Sequence, residues 1–269
     1  MIIPTAEPFY FPGKQGQPAC LLIHGFTGAP KEMRWMGEYL NHEHGFHSLG
    51  VRLAGHATHP EDMVRSHHTD WMASVEDGYH LLRDALPVGH RDGVSLSKGG
   101  VSDRIYLVGL SMGGVLSLLM STKLDVAGVV AMSTPYRFPY NYPLWMVRLI
   151  SMFVRFRPKS GEDWFDQAAY AEHVSYPENP VRSGAEFYSL VTKMQAALPN
   201  LSVPVLLVHS KNDASVSPES MEHIFAALGT SDKTKLYITG AGHVVTRDAA
   251  KEQVFEAAAN FIHRIESTS

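Results

Sequence analysis

Short apolar runs recur along the chain, and stretches with a helical period fall between them. Ala19-Cys20-Leu21-Leu22-Ile23, Arg104-Ile105-Tyr106-Leu107-Val108, Val126–Met132 and Val203–Val208 lack the strict polar alternation of a half-exposed strand. Such runs read as strands covered on both faces. Phe46–Val51 and Lys235–Ile238 read as further strands, and residues 9–11 as an edge strand ended by Pro12-Gly13. Between them, residues 31–41 set Met33, Met36, Tyr39 and Leu40 on a helical period. Residues 70–86 set Trp71, Val75, Tyr79 and Leu82 on one stripe with Asp70 as the expected cap, and 249–265 do the same with Val254, Phe255, Ala258, Phe261, Ile262 and Ile265. Alternating strands and helices predict an α/β fold, a mostly parallel sheet flanked by helices.

The alternation fails twice. Residues 87–103 are rich in Gly and Ser and read as a surface loop. From Pro135 to about Asn200 no strand pattern is visible, but Tyr136, Phe138, Tyr140, Tyr142, Trp145, Phe153, Phe156, Trp164 and Phe165 are concentrated there. A long insertion at a strand–helix crossover is the usual form of a lid or binding element. The expected division is therefore a core of 1–134 and 201–269 with a helical cap at 135–200.

Gly109-Leu110-Ser111-Met112-Gly113 lies where a buried strand runs directly into the apolar helix beginning near Val115. G-x-S-x-G in that setting is the pattern of a nucleophile elbow. A serine hydroxyl needs a base, and the base needs an acid to orient it. Asp213 follows the strand ending at Val208, and His243 follows the strand ending at Ile238 after Thr239-Gly240-Ala241-Gly242. Their order, Ser then Asp then His, is the chain order of that fold. Asp125, Asp232 and Asp248 are the competing acids, and none follows a central strand at the expected place. A tetrahedral intermediate also needs preorganised N–H donors. The amides of Met112, at the start of the helix, and Phe26, in His24-Gly25-Phe26, are the candidates.

The chain resembles the bacterial carboxylesterases and monoacylglycerol lipases of the α/β-hydrolase superfamily. The likeness rests on His24-Gly25-Phe26-Thr27-Gly28, on Arg52-Leu53-Ala54-Gly55-His56-Ala57-Thr58-His59, on Thr69–Tyr79 and on Gly109–Gly114. The family usually has Gly-His-Gly where this chain has Gly55-His56-Ala57. The resemblance implies a cofactor-free serine hydrolase of short- to medium-chain acyl esters, with Ser111, Asp213 and His243 as its triad and Phe26 and Met112 as oxyanion donors. A small-molecule ester is the expected partner. A peptidase, thioesterase or C–C hydrolase of the same fold, or a slow-turnover ligand sensor that keeps the triad, remains an alternative.

Composition narrows this further. The chain of 269 residues is 45% hydrophobic and 19% charged, as a soluble globule is. Its net charge of −4, without a basic block, argues against a nucleic-acid partner. The N-terminus lacks a secretory pattern and no apolar stretch reaches membrane-spanning length, so a cytoplasmic location without membrane insertion is expected. The one cysteine, Cys20, sits in a strand and reads as core. His42, His44, His47, His56, His59, His67 and His68 crowd one region but show no ligand spacing, so no metal is expected. In the apolar segment 144–157, Trp145 and Phe153 are the expected substrate contacts, with Arg148 and Arg155 as the groups that would favour an acidic substrate instead.

Overall fold

The computed structural model describes residues 1–85, 102, 104–137, 142–159 and 163–268. Among these, seven strands form the central sheet: β1 (Phe9–Phe11), β2 (Ala19–Ile23), β3 (His47–Val51), β4 (Ile105–Leu110), β5 (Gly128–Met132), β8 (Val205–Ser210) and β9 (Lys233–Ile238). Their spatial order is β1-β3-β2-β4-β5-β8-β9. Only β1 runs antiparallel, against β3; the other neighbours are parallel, in registers such as Leu21 with Leu107 and Val130 with Leu206. The expected α/β architecture is present.

The apolar runs are buried on both faces, as their lack of alternation requires. Leu21, Ile23, Leu107 and Leu207 point to one face, where they meet Trp71 and Val75 of α3 (His68–His80) and Leu116 of α4 (Met112–Met120). Cys20, Leu22, Val108 and Leu206 point to the other, against Met33 and Met36 of α1 (Lys31–His44) and Phe255 and Phe261 of α9 (Lys251–Glu266). Each such side chain stabilises the fold by about 1.5–3 kcal/mol relative to exposure. Cys20 is fully buried, and that burial pushes its thiol pKa up.

Several elements differ from the sequence pattern. Helix α2 (Pro60–Arg65) occupies a stretch without a marked apolar period, and α8 (Glu219–Ala227) follows Pro218. The helix expected from Asp70 begins at His68, so Asp70 is not its first cap. Its carboxylate reaches back to accept the His67 N–H at 2.8 Å. The expected loop 87–103 lies outside the described residues except for Ser102.

The described part of segment 135–200, expected as a helical insertion, is not wholly helical. It contains α5 (Leu144–Ile150), α6 (Gln167–Ala171) and α7 (Val181–Ala197), with a small antiparallel pair between β6 (Phe156–Pro158) and β7 (Glu178–Pro180). Leu190, Val191 and Met194 of α7 join the same apolar cluster as Trp71 and Leu116. The last helix of the insertion therefore packs as a core layer. No described helix is long and apolar enough to cross a membrane.

Candidate active site

The chain reaches Ser111 through β4 and leaves through α4 with no loop between them. That turn forces Ser111 to φ +56° with ψ −115°, a sparsely populated positive-φ conformation that costs a non-glycine residue about 1–3 kcal/mol. The flanking glycines make the turn possible. A Cβ on Gly109 would stand 2.1 Å from the Gly113 carbonyl, and one on Gly113 would stand 2.0 Å from the Ile23 carbonyl.

Asp213 and His243 arrive from the C-terminal ends of β8 and β9, where open α/β sheets bind their ligands. His243 Nε2 lies 2.9 Å from Ser111 Oγ, and its Nδ1 lies 2.8 Å from Asp213 Oδ2. An ionised carboxylate only accepts, so the His243 proton sits on Nδ1 and Nε2 faces the hydroxyl. The second oxygen, Asp213 Oδ1, accepts the N–H groups of Ser215 at 2.9 Å and Val216 at 2.8 Å. Burial alone would raise the Asp213 pKa. The neighbouring His243 and hydrogen bonds from His209, His243 and Val216 outweigh it and hold the pKa below the ordinary range. For His243, burial lowers the pKa, and the Asp213 charge and hydrogen bond prevail to raise it above 6.5.

The competing acids are engaged elsewhere. Asp232 pairs with Arg264 and Asp125 with Arg83. Asp248 is buried and accepts the Gly242 N–H at 2.7 Å, the Asp166 N–H at 2.7 Å and the Phe165 N–H at 3.0 Å. It thereby joins the insertion to the loop that carries His243. Asp163 makes the matching tie on the other side, where its carboxylate accepts the Ala214 N–H at 2.7 Å.

The loop after β2 is held from several directions. Leu53 N–H donates to His24 Nε2 at 3.2 Å, so His24 carries its proton on Nδ1, which donates to the Gly25 carbonyl at 2.9 Å. Gly25 N–H donates to Glu32 Oε2 at 2.8 Å. Among the described residues, the N–H groups of Phe26 and Met112 have no protein acceptor. The Phe26 ring stacks on Phe187, 5.1 Å between centroids.

A cavity of about 780 Å³ opens over Ser111 and His243. Phe26, Tyr136, Val147, Ile150, Phe187 and Val191 supply much of its apolar wall. Glu32, Lys159, Asp163, His173 and Ser175 supply a polar part, in which Lys159 Nζ donates to Ser175 Oγ at 2.8 Å.

Trp145 and Phe153 do not line this cavity and are 64% and 81% exposed. On α5 it is Val147 and Ile150 that face inward, while Trp145 and Leu149, four residues apart, share the outer face. Arg148 is exposed and Arg155 pairs with Glu61; the arginines at the cavity are Arg137 and Arg157.

Three residues near the site carried no motif. His209 is buried, with Nε2 3.1 Å from both Asp213 Oδ2 and the Val216 carbonyl. The only sequence signal for it is its position four residues before Asp213. Glu32 gives a weak one, an acid in the first turn of the helix after the His-Gly loop, and Asp248 gives none. The clustered histidines disperse: His44 meets His263, His47 accepts the Gly13 N–H, and His68 pairs with Glu186. No group of three or more potential ligands for a metal occurs among the described residues.

A family model described as serine aminopeptidase, S33, matches residues 14–250. A carboxylesterase of Bacillus subtilis (strain 168) is 27% identical over 99% of this chain and 100% of its own length. A thermostable monoacylglycerol lipase of Bacillus sp. (strain H-257) is 28% identical over 97% and 95%. Among solved structures, one described with LipS and LipT, two metagenome-derived lipolytic enzymes, superposes with a TM-score of 0.84 at 26% identity, covering 98% of this chain and 100% of that one. A soluble variant of the monoglyceride lipase of Saccharomyces cerevisiae shares the fold, with a TM-score of 0.73 at 18% identity over 96% and 91%.

Proposed function

The chain belongs to the serine aminopeptidase S33 family, and on that premise we propose that it is a serine carboxylesterase acting on short- to medium-chain acyl esters, monoacylglycerols among them. The observation that carries this reading is the unbroken hydrogen-bonded chain from Ser111 Oγ through His243 to Asp213 beneath a largely apolar cavity. The names of the two bacterial relatives, a carboxylesterase and a monoacylglycerol lipase, support it.

In this mechanism Ser111 Oγ attacks the ester carbonyl carbon while His243 Nε2 takes the hydroxyl proton. Asp213 holds the imidazole in the required tautomer and stabilises its cation. The N–H groups of Phe26 and Met112 receive the developing oxyanion, with the N-terminal dipole of α4 behind Met112. The C–O bond to the alcohol breaks as His243 returns the proton to the departing oxygen. Water, deprotonated by the same imidazole, then attacks the acyl carbon; the acyl C–Oγ bond breaks as His243 gives the proton to Ser111 Oγ, and the acid is released. Segment 135–200 acts as the cap, with its last helix, α7, rooted in the core beneath. Apolar wall groups such as Phe187 and Ile150 suit an acyl chain, and the polar group around Lys159, Asp163 and His173 suits the hydroxyls of a small polyol.

The test is turnover of p-nitrophenyl esters of increasing chain length, with monoacylglycerols and an aminoacyl anilide alongside. Specificity is expected to rise over short chains, by about 0.8 kcal/mol per added methylene, and then fall. Ser111→Ala is expected to lose about three orders of magnitude or more in kcat while melting as the wild type does. Sustained ester turnover by that variant would refute the assignment. Preference for the anilide would favour the peptidase alternative.

A further inference from the structure

Glu32 is a carboxyl residue buried beside a reactive serine, and the mechanism above does not use it. Its side chain is 5% exposed. It stands in the first turn of α1, but its carboxyl reaches across to the loop after β2 and accepts the Gly25 N–H. Gly25 directly precedes Phe26, whose own N–H lacks a protein acceptor among the described residues.

The surroundings are built around this contact. A Cβ on Gly28 would stand 2.2 Å from Glu32 Oε1, so the loop closes tightly on the carboxyl. Even on Gly25 a Cβ would meet Glu32 Oε2 at 3.3 Å and Ser111 Cβ at 3.4 Å, which measures how near the carboxyl lies to the elbow. The Glu32 backbone carbonyl accepts from Thr246 Oγ1 at 2.7 Å, and Thr246 is three residues past His243. One residue thus links the loop of the proposed oxyanion donor to the loop of the proposed base.

We propose that Glu32 is a positioning residue: its buried carboxyl fixes the His24–Gly25 peptide, the unit directly before the one that carries the Phe26 N–H, and so helps to aim that N–H at the oxyanion that forms over Ser111. Gly25 is then held on both sides: Glu32 accepts the N–H of the His24–Gly25 peptide, while His24 Nδ1–H and the Gly28 N–H donate to the carbonyl of the Gly25–Phe26 peptide, the unit that carries the Phe26 N–H. Donors fixed in advance need no reorganisation when charge develops, and that is where their effect on rate arises. Burial raises the Glu32 pKa, against the Gly25 hydrogen bond and nearby Lys159, to about 7. A neutral carboxylic acid still offers a carbonyl oxygen to the Gly25 N–H, so the tether does not depend on a negative charge. An amide in its place preserves the contact.

This inference rests on the ester-hydrolase reading, and the experiment separates the two. Wild type, Ser111→Ala, Glu32→Gln, Glu32→Leu and Glu32→Ala are compared on a p-nitrophenyl ester, with kcat and KM resolved. Affinity for a trifluoromethyl ketone, which forms a tetrahedral adduct with an oxyanion, is measured in parallel. Leucine fills the space but leaves the Gly25 N–H unpaired. Loss of one oxyanion donor costs about 100- to 1000-fold, so a donor left in place but loosened is expected to cost about 10- to 100-fold in kcat. KM should stay within about threefold, and affinity for the ketone should fall in proportion to kcat. Glu32→Gln should restore most of that loss, and Glu32→Ala should behave as Glu32→Leu does. If either fails to fold, the other decides.

The proposal is overturned if Glu32→Leu keeps kcat within threefold of wild type, if kcat falls while ketone affinity does not, or if Glu32→Gln is as impaired as Glu32→Leu. Turnover that survives Ser111→Ala would instead defeat the underlying reading, whatever the Glu32 variants do.

Discussion

Replacing Asp213 by asparagine changes one atom, and the structure dictates where that change lands. Asp213 Oδ1 accepts two backbone N–H groups, from Ser215 and Val216. An amide nitrogen placed there would set donor against donor twice. The asparagine oxygen must therefore occupy the Oδ1 position, and its NH₂ must occupy the Oδ2 position, facing His243 Nδ1. There the NH₂ also meets His209 Nε2–H, which loses its contact with Oδ2 and keeps only the Val216 carbonyl at 3.1 Å, one donor conflict in place of two. The NH₂ donates to His243 Nδ1, which moves the imidazole proton to Nε2. That proton now confronts Ser111 Oγ, and the ring can no longer accept from the hydroxyl. The Asp213 side chain is fully buried, so no water corrects the mismatch.

A tautomer error of this kind costs about 10⁴ in kcat, or about 5 kcal/mol of transition-state stabilisation, with KM little altered. Initial rates on p-nitrophenyl butyrate at alkaline pH measure it, and a thermal melt confirms that the fold persists. Retention of more than about 1% of wild-type kcat in a folded variant would refute the argument, since that leaves under 3 kcal/mol for the orientation of the imidazole.

Two further predictions follow from the same geometry. As the proposed base His243 acts only when neutral, and its folded pKa is raised above 6.5, so kcat/KM should climb with pH through a midpoint above 6.5. Removing the carboxylate charge in Asp213→Asn should bring that midpoint down, and an unmoved midpoint in kcat/KM profiles would deny the coupling. The linked stability runs the other way: the His243 contribution is present below 6.5 and lost as pH rises through the folded pKa, while that of Asp213 is present above 3.8 and lost as pH falls through its depressed one. Substitution of Val147 or Ile150 by tryptophan should shift the acyl-length optimum towards shorter chains, while Trp145→Ala and Phe153→Ala should leave it in place; a chain-length series of kcat/KM values decides.

The core was legible because burial on both faces leaves a plain mark. β2, β4, β5 and β8 are runs with little polar interruption, and the places where they end locate Ser111, Asp213 and, one strand later, His243. The cap was less legible. β6 and β7 are three residues each and contain proline, so they show no period. Which face of α5 turns inward depends on where the helix docks, and the segment is apolar on more than one face. Trp145 and Phe153 looked like pocket residues because large aromatic side chains are usually buried, and here they are exposed. Glu32 and Asp248 escaped for a different reason. The Glu32 partner lies seven residues back across a turn, and the cap amides bound by Asp248 lie 82 and 83 residues away, separations that no local pattern encodes.

The two aspartates that fasten the insertion also limit how such an enzyme diversifies. Asp163 grips the chain beside Asp213, and Asp248 grips residues 165 and 166 while holding the amide beside His243. Side chains that line the cavity from α5, Val147 and Ile150, are open to change towards new substrates. The short stretch 163–166 is not, because a shift in its register disturbs the loops of Asp213 and His243 together. A segment grafted there from a relative would leave the Asp213 and His243 loops undisturbed only if it brought two amides and a carboxylate to the same places. On the proposed reading, substrate range can change on either side of a fixed clasp while the triad keeps its geometry.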